Sequence, residues 1–179
     1  ATETSEHLAD DFLADVVRSW EYAFFSFKLP STRQIALRTS VVLGRSKGAF
    51  PSLLRLTRLG LGGKGGNGKQ IFSWIHIGDY FRIVEFLIQN DSITGVVNCT
   101  SPAPLSNAAL MKEMRSKVKI PFGLPAPEFA VRIGAFFIGT ESSLLLNSTN
   151  IYPELLLNAG FSFEFGDIDA AIADLIHSK

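Results

Sequence analysis

Three stretches of this 179-residue chain carry residue types that could do chemistry: the glycine loop 63–69 (GKGGNGK), His76 and Cys99. The loop contains GxxxxGK, the spacing with which a P-loop wraps backbone amides around phosphates. A P-loop needs Ser or Thr next, for magnesium, and Gln70 stands there. The loop also follows a helical pattern and precedes an extended one, the reverse of strand, loop, helix. Two readings remain: a turn with Gly and Asn at positive φ, or a loop that closes over a ligand. His76 lies in the run IFSWIHI (71–77), with no second His or Cys nearby, so a metal site is not expected. A hydrogen-bonded structural role and a catalytic one both stay open for it. Cys99 lies in GVVNCT (95–100) without a basic partner, which fits an inert core thiol better than a nucleophile. No catalytic residue and no metal ligand set can be named from these stretches.

The rest of the chain narrows the class. Lysine plus arginine equals aspartate plus glutamate at 17 each, for a formal net charge of zero. Nucleic acid and anionic membranes select a basic excess, so neither is expected as the main partner. Hydrophobic residues make up 46% and charged residues 19%, a globular balance. A single cysteine permits no internal disulfide and fits a reducing, cytoplasmic setting. The longest apolar run, 129–139, carries Arg132 and is too short to span a bilayer. Residues 1–11 are polar and acidic, the wrong flank for a signal peptide. Fifteen phenylalanines suggest surface meant to be covered.

These stretches must be positioned by the elements around them. From about 8 to 27, Phe12, Leu13, Val16, Val17, Trp20 and Phe24 fall on one helical face. Residues 34–43 (QIALRTSVVL) form a β-branched, largely apolar run, the pattern of one strand buried on both faces. A short basic amphipathic helix is expected at 51–59, and a strand at 71–77. Asp79 is expected to cap a helix to about Gln89 with Phe81, Val84, Leu87 and Ile88 inward. A second buried strand is expected at 95–100, then a helix from Ser106 to about Lys117 with a solvated basic face. Residues 120–127 (IPFGLPAP) read as a proline-rich link, followed by an apolar helix to about Phe137. A short helix at 153–159 should stop at Gly160, FSFEF (161–165) should form a half-buried strand, and Asp167 should cap the last helix.

Strands followed by helices are α/β grammar, yet two buried strands do not make a doubly wound sheet, and no GxGxxG fingerprint is present. The series LRTSVVLG (37–44), RLGLGGKGGNGKQ (58–70), SWIHIGD (73–79), GVVNCTSPAPLSN (95–107) and LLLNAGFSFEF (155–165) resembles one family throughout, from about Asp10 onward. It is the atypical extended short-chain dehydrogenase/reductase group called epimerase-family, or nucleoside-diphosphate-sugar-epimerase-like, proteins. Their C-terminal part is a domain of unknown function.

That resemblance implies an α/β chain: the C-terminal portion of a Rossmann-type doubly wound fold, its last strands, plus a small α+β substrate lobe. Residues 1–50 and 78–118 would be the Rossmann remnant, and 51–77 with 119–179 the lobe. In full length the family would bind NADP or NAD. None is expected tightly bound to this chain, which alone should not turn over a small-molecule substrate. By resemblance Thr39, Ser40 and Val41 lie where the nicotinamide ring would sit, and Gln70, Trp74 and His76 line the substrate side. Aligned on Trp20-Glu21, the family's Tyr-x-x-x-Lys pair falls at Leu13 and Val17, which cannot ionise. The arginine and aspartate of the sugar-nucleotide pattern fall at Phe72 and Ser73, so a diphosphate lacks its charged fork. Gly78 replaces a usual aspartate and Ser40 a usual glycine. The rival expectation is a non-enzymatic ligand-binding or dimerising module, a homodimer formed through the first helix.

Overall fold

The computed structural model describes residues 1–5, 12–127 and 147–177. The helix expected after Pro127 lies outside them. The first helix, α1, runs Phe12–Ser26. The run expected as one strand is two: β1, Ile35–Thr39, and β2, Val41–Leu43. The break is Ser40, whose backbone N–H and Oγ both donate to Cys99 O, at 3.1 and 3.2 Å. One residue on, the Val41 N–H donates to Ser73 O instead. The chain thus changes partners at Ser40, which an unbroken apolar run does not reveal.

The strand expected at 71–77 is likewise two, β3 (Ile71–Phe72) and β4 (Trp74–His76), and the helix after it begins at once. Parallel pairs form between β1 and β5 (Gly95–Cys99), with Thr39 opposite Cys99, and between β2 and β4, with Val41 opposite Trp74. β3 pairs antiparallel with β6 (Leu105–Ser106), a strand the sequence pattern did not announce. The α/β class with parallel strands therefore holds. Among the described residues β1 is laddered on one edge only.

The β2–β4 pair divides two cores, because successive side chains on a strand face opposite ways. Leu43 and Trp74 join one core, with α2 (Ala49–Arg58), α4 (Asn107–Lys117) and the last helix, α6 (Ile168–His177). Ile75 joins the other, with α3 (Ile77–Gln89), β5 and the short α5 (Glu154–Asn158). Ser106 caps α4 by accepting from the Ala109 N–H, and Asp167 accepts from Asp169, as expected. Gly160, at φ +84, ends α5 as expected.

Two expectations about α3 fail together. Its cap is His76, whose Nδ1 accepts from the Gly78 N–H at 3.1 Å, not Asp79. Of the residues expected inward only Leu87 is buried, alongside Asp79 and Ile83, while Phe81 and Ile88 are 64% and 69% exposed. The helix is apolar around much of its girth, so its periodicity fits two phases and only its neighbours select one. FSFEF is not a strand either: the amides of Glu164 and Phe165 go to the Asp79 carboxylate rather than to a ladder. Among the described residues no helix is long and apolar enough to cross a membrane.

Candidate functional site

The change of partners at Ser40 brings one expected cofactor position, Val41, opposite one expected substrate-side position, Trp74. Thr39 is exposed at the C-terminal end of β1, and Ser40 and Val41 are half-buried beside it. The Val41 amide bonds Ser73 O, and Trp74 O accepts from the Ser101 N–H at 2.7 Å and from Thr100 Oγ1. The C-terminal ends of β1 and β5 therefore meet the start of β4 in one hydrogen-bonded junction, and it is at the carboxyl ends of its strands that an open parallel sheet holds ligands.

The three substrate-side positions stand at different depths. Gln70 is half-buried, its Nε2 donating to Gly65 O and its carbonyl accepting from the Asn107 N–H. Trp74 is fully buried, with its indole N–H bonded to Ala103 O at 3.0 Å. His76 is buried under the ring of Phe165, 3.9 Å between centroids. Its Nε2 lies 3.3 Å from Asp174 Oδ2, off the hydrogen-bonding direction. Burial lowers the His76 pKa from its ordinary value, against the pull of Asp174, Asp79 and Glu164. Cys99 is buried and its thiol is pushed up to about 12, chiefly by burial and further by Glu3, so it is no nucleophile.

Beside His76 a groove of about 570 Å³ opens between the loop after β2 and α6. Val42, Ile77 and Leu175 give it apolar walls, and Arg45 and Asp174 stand at its rim, 3.7 Å apart. Among the described residues no group of three or more His, Cys, Asp or Glu could hold a metal ion.

The glycine loop is a packed seam. The Gly63 N–H donates to Leu124 O, the Leu124 N–H to Gly60 O, the Ala126 N–H to Lys64 O and the Gly66 N–H to Ala126 O. A side chain on Gly123 would put its Cβ 2.6 Å from Gly62 O, and one on Gly63 would strike the Leu124 carbonyl. Glycine is needed there because two backbones touch. The segment 120–127, expected as a linker, is the other half of the seam.

Comparison with known proteins gives this geometry its family. A domain of unknown function, DUF1731, matches residues 126–175. The mouse epimerase family protein SDR39U1 is 37% identical over 169 residues, 93% of this chain and 56% of that protein. The crystal structure of human epimerase family protein SDR39U1 with NADPH superposes with a TM-score of 0.87 at 32% identity, covering 98% of this chain and 58% of the other. The chain belongs to the epimerase family. A nucleoside-diphosphate sugar epimerase from Corynebacterium glutamicum superposes with a TM-score of 0.76 at 34% identity, covering 97% of this chain and 32% of the other. The chain spans about half the length of the curated relatives it matches.

Within this epimerase-family chain, four residues tie distant segments together in roles the sequence did not announce. Asp79, with no exposed surface, accepts from the Glu164 and Phe165 amides at 3.0 and 2.8 Å and pairs with Arg82 Nη1 at 2.7 Å. Ser73 Oγ donates to Thr149 O at 2.6 Å and accepts from the Ile151 N–H. Asn107 Oδ1 accepts from the Gly65 N–H, fixing the glycine loop to α4. Glu3 accepts from the Asn98 N–H on the outer edge of β5. Only Asp79 left a local trace, an arginine three residues on. The other contacts span 42 residues or more of chain and have no local pattern.

Proposed function

We propose that this chain supplies the last sheet strands and the substrate lobe of a nicotinamide-dependent oxidoreductase or epimerase-like protein. Tight dinucleotide binding and turnover then require a further portion that carries the phosphate cradle. The observation that carries this reading is the change of partners at Ser40: it leaves Thr39 exposed at the end of a parallel strand, with Val41 beside it already paired to Trp74. The NADPH described in the human relative's crystal structure supports the cofactor class. In this reading Thr39, Ser40 and Val41 face the nicotinamide. Gln70 reaches the substrate side from the loop, and Trp74 and His76 shape that side from beneath. Phe72 and Ser73 are both buried and neither can grip a diphosphate, which favours a small substrate without a nucleotide.

Titration of NADPH into the 179-residue chain, followed by nucleotide fluorescence, is expected to show no saturation in the micromolar range. The same titration into a longer protein that includes a dinucleotide-binding half is expected to saturate, and Thr39→Val with Ser40→Val should weaken it about tenfold. Micromolar binding by the chain alone would sink this reading.

A second reading, an assembling module without catalysis, is favoured by α1. Phe12, Trp20 and Tyr22 stand 70–80% exposed on it. It predicts a closed dimer in sedimentation velocity, lost on Trp20→Ser with Phe12→Ser. A monomer across the concentration range would count against it.

A further inference from the structure

The zero net charge hides a strong separation. From Arg45 to Gly78 there are six basic residues and no acidic one. Much of that charge surrounds an apolar shelf. Leu59, Leu61, Phe122 and Leu124 are 65%, 46%, 63% and 60% exposed. They come from two segments that the glycine seam ties together, through Gly63 to Leu124 and Leu124 to Gly60. The Phe122 ring lies so close over Gly60 that a Cβ there would meet it at 2.9 Å. Arg55, Arg58 and Leu59 share the outer side of α2 and its end, opposite the buried Phe50, Leu53 and Thr57. Lys64 and Lys119 stand exposed on the two seam segments. Arg55, Arg58, Lys64 and Lys119 make no ion pair with any described residue, whereas Arg38, Arg82 and Lys117 elsewhere are paired.

We propose that this basic-rimmed shelf is a docking surface for an acidic amphipathic helix of a partner protein. The apolar row takes the helix's hydrophobic stripe, and the four cations take the carboxylates beside it. Backbone bonds fix the shelf in advance, so little ordering is needed on binding. A stacked nucleic acid would need a row of aromatic faces, and the shelf offers one phenylalanine. This inference is independent of the cofactor reading, since neither Thr39 nor the β1 edge takes part.

The test is fluorescence anisotropy with a labelled 18-residue helical peptide bearing Leu on one face and Glu beside it, with a Lys-for-Glu peptide as control. The expected result is micromolar binding of the Glu peptide, at least fivefold weaker at 300 mM than at 30 mM salt. Leu59→Ser with Phe122→Ser, and separately Arg55→Glu with Arg58→Glu, should each weaken it at least tenfold while the far-ultraviolet dichroism and melting curve stay unchanged. The charge-reversed variant should also gain affinity for the Lys peptide, which a generally sticky surface would not. The inference is overturned if both peptides bind alike, if both double variants bind as the parent does, or if the chain ignores the Glu peptide and sediments with phosphatidylserine vesicles.

Discussion

At His76 the Nδ1 atom accepts from the Gly78 N–H, so the ring that caps α3 must carry its proton on Nε2, toward Asp174. Protonating Nδ1 would set two donors face to face. The folded chain therefore resists taking up this proton, in line with the direction of the His76 shift. An unfolded histidine titrates near its ordinary value of about 6.5. Below that pH the unfolded state binds a proton that the folded state refuses, so stability falls on acidification and is fully present above it. The thermal midpoint is expected to drop between pH 7.5 and 5.5, and His76→Asn, which can still cap, should flatten that slope; an unchanged slope would remove His76 as its source. The fully buried Asp79 carboxylate holds three donors. Asp79→Asn turns one acceptor into a donor against those amides and removes the charge facing Arg82, whose side chain is 41% exposed. We expect a loss of about 2 kcal/mol in urea unfolding, within the range for leaving a buried group unsatisfied, with the 161–165 segment becoming sensitive to protease.

The glycine seam and the partner-changing strand are decided by contacts between elements. Gly123 and Gly95 separate crowding from backbone conformation. Gly123→Ala places a methyl 2.6 Å from the Gly62 carbonyl, which Arg115 Nη1 holds in place. It should cost about 3 kcal/mol, the upper end for overpacking. Gly95, at φ +85, has open space where a Cβ would stand, with no atom within 4 Å, and Gly95→Ala should cost about 1 kcal/mol for the left-handed backbone alone. Equal losses in parallel thermal melts would mean that the seam yields. The helix starts and stops at Ser106, Asp167 and Gly160 were legible because capping is local: a side chain or a positive φ acts within a few residues. The strand break at Ser40 was not, because it depends on Cys99 O and Ser73 O, carbonyls far along the chain. FSFEF alternates as a strand should, and a single buried carboxylate overrides that pattern.

On the scale of the whole molecule, two stretches of exposed apolar surface stand out among the described residues. One is α1 with the neighbouring groove of about 320 Å³ between Phe24, Ile35, Leu37, Val84 and Ile88. The other is the shelf around Phe122. The abundance of phenylalanine pointed to surface needing cover, though not to where it would lie. The neutral total charge pointed away from nucleic acid and anionic membranes, yet exposed Arg55, Arg58, Lys64 and Lys119 rim one apolar shelf. The expectation that Thr39 to Val41 face a cofactor came from the family resemblance, and their neighbours Ser73 and Trp74 enter only through the change of partners at Ser40 and the parallel β2–β4 register. A longer protein containing this chain should bury α1 and leave the shelf accessible. Hydroxyl-radical footprinting is expected to protect Trp20 and Tyr22 there while Phe122 stays reactive, and protection of all three would merge the two surfaces into one.

By itself the order of residues determined the α/β class, the family and most helix ends, since each rests on signals a few residues long or on a repeated series of motifs. Tertiary structure decided which face of α3 is buried, where the long apolar run changes partners, and that the glycines form a seam. Those outcomes depend on backbone groups brought together from distant parts of the chain, and a hydrogen bond or close approach of that kind leaves no mark in local composition.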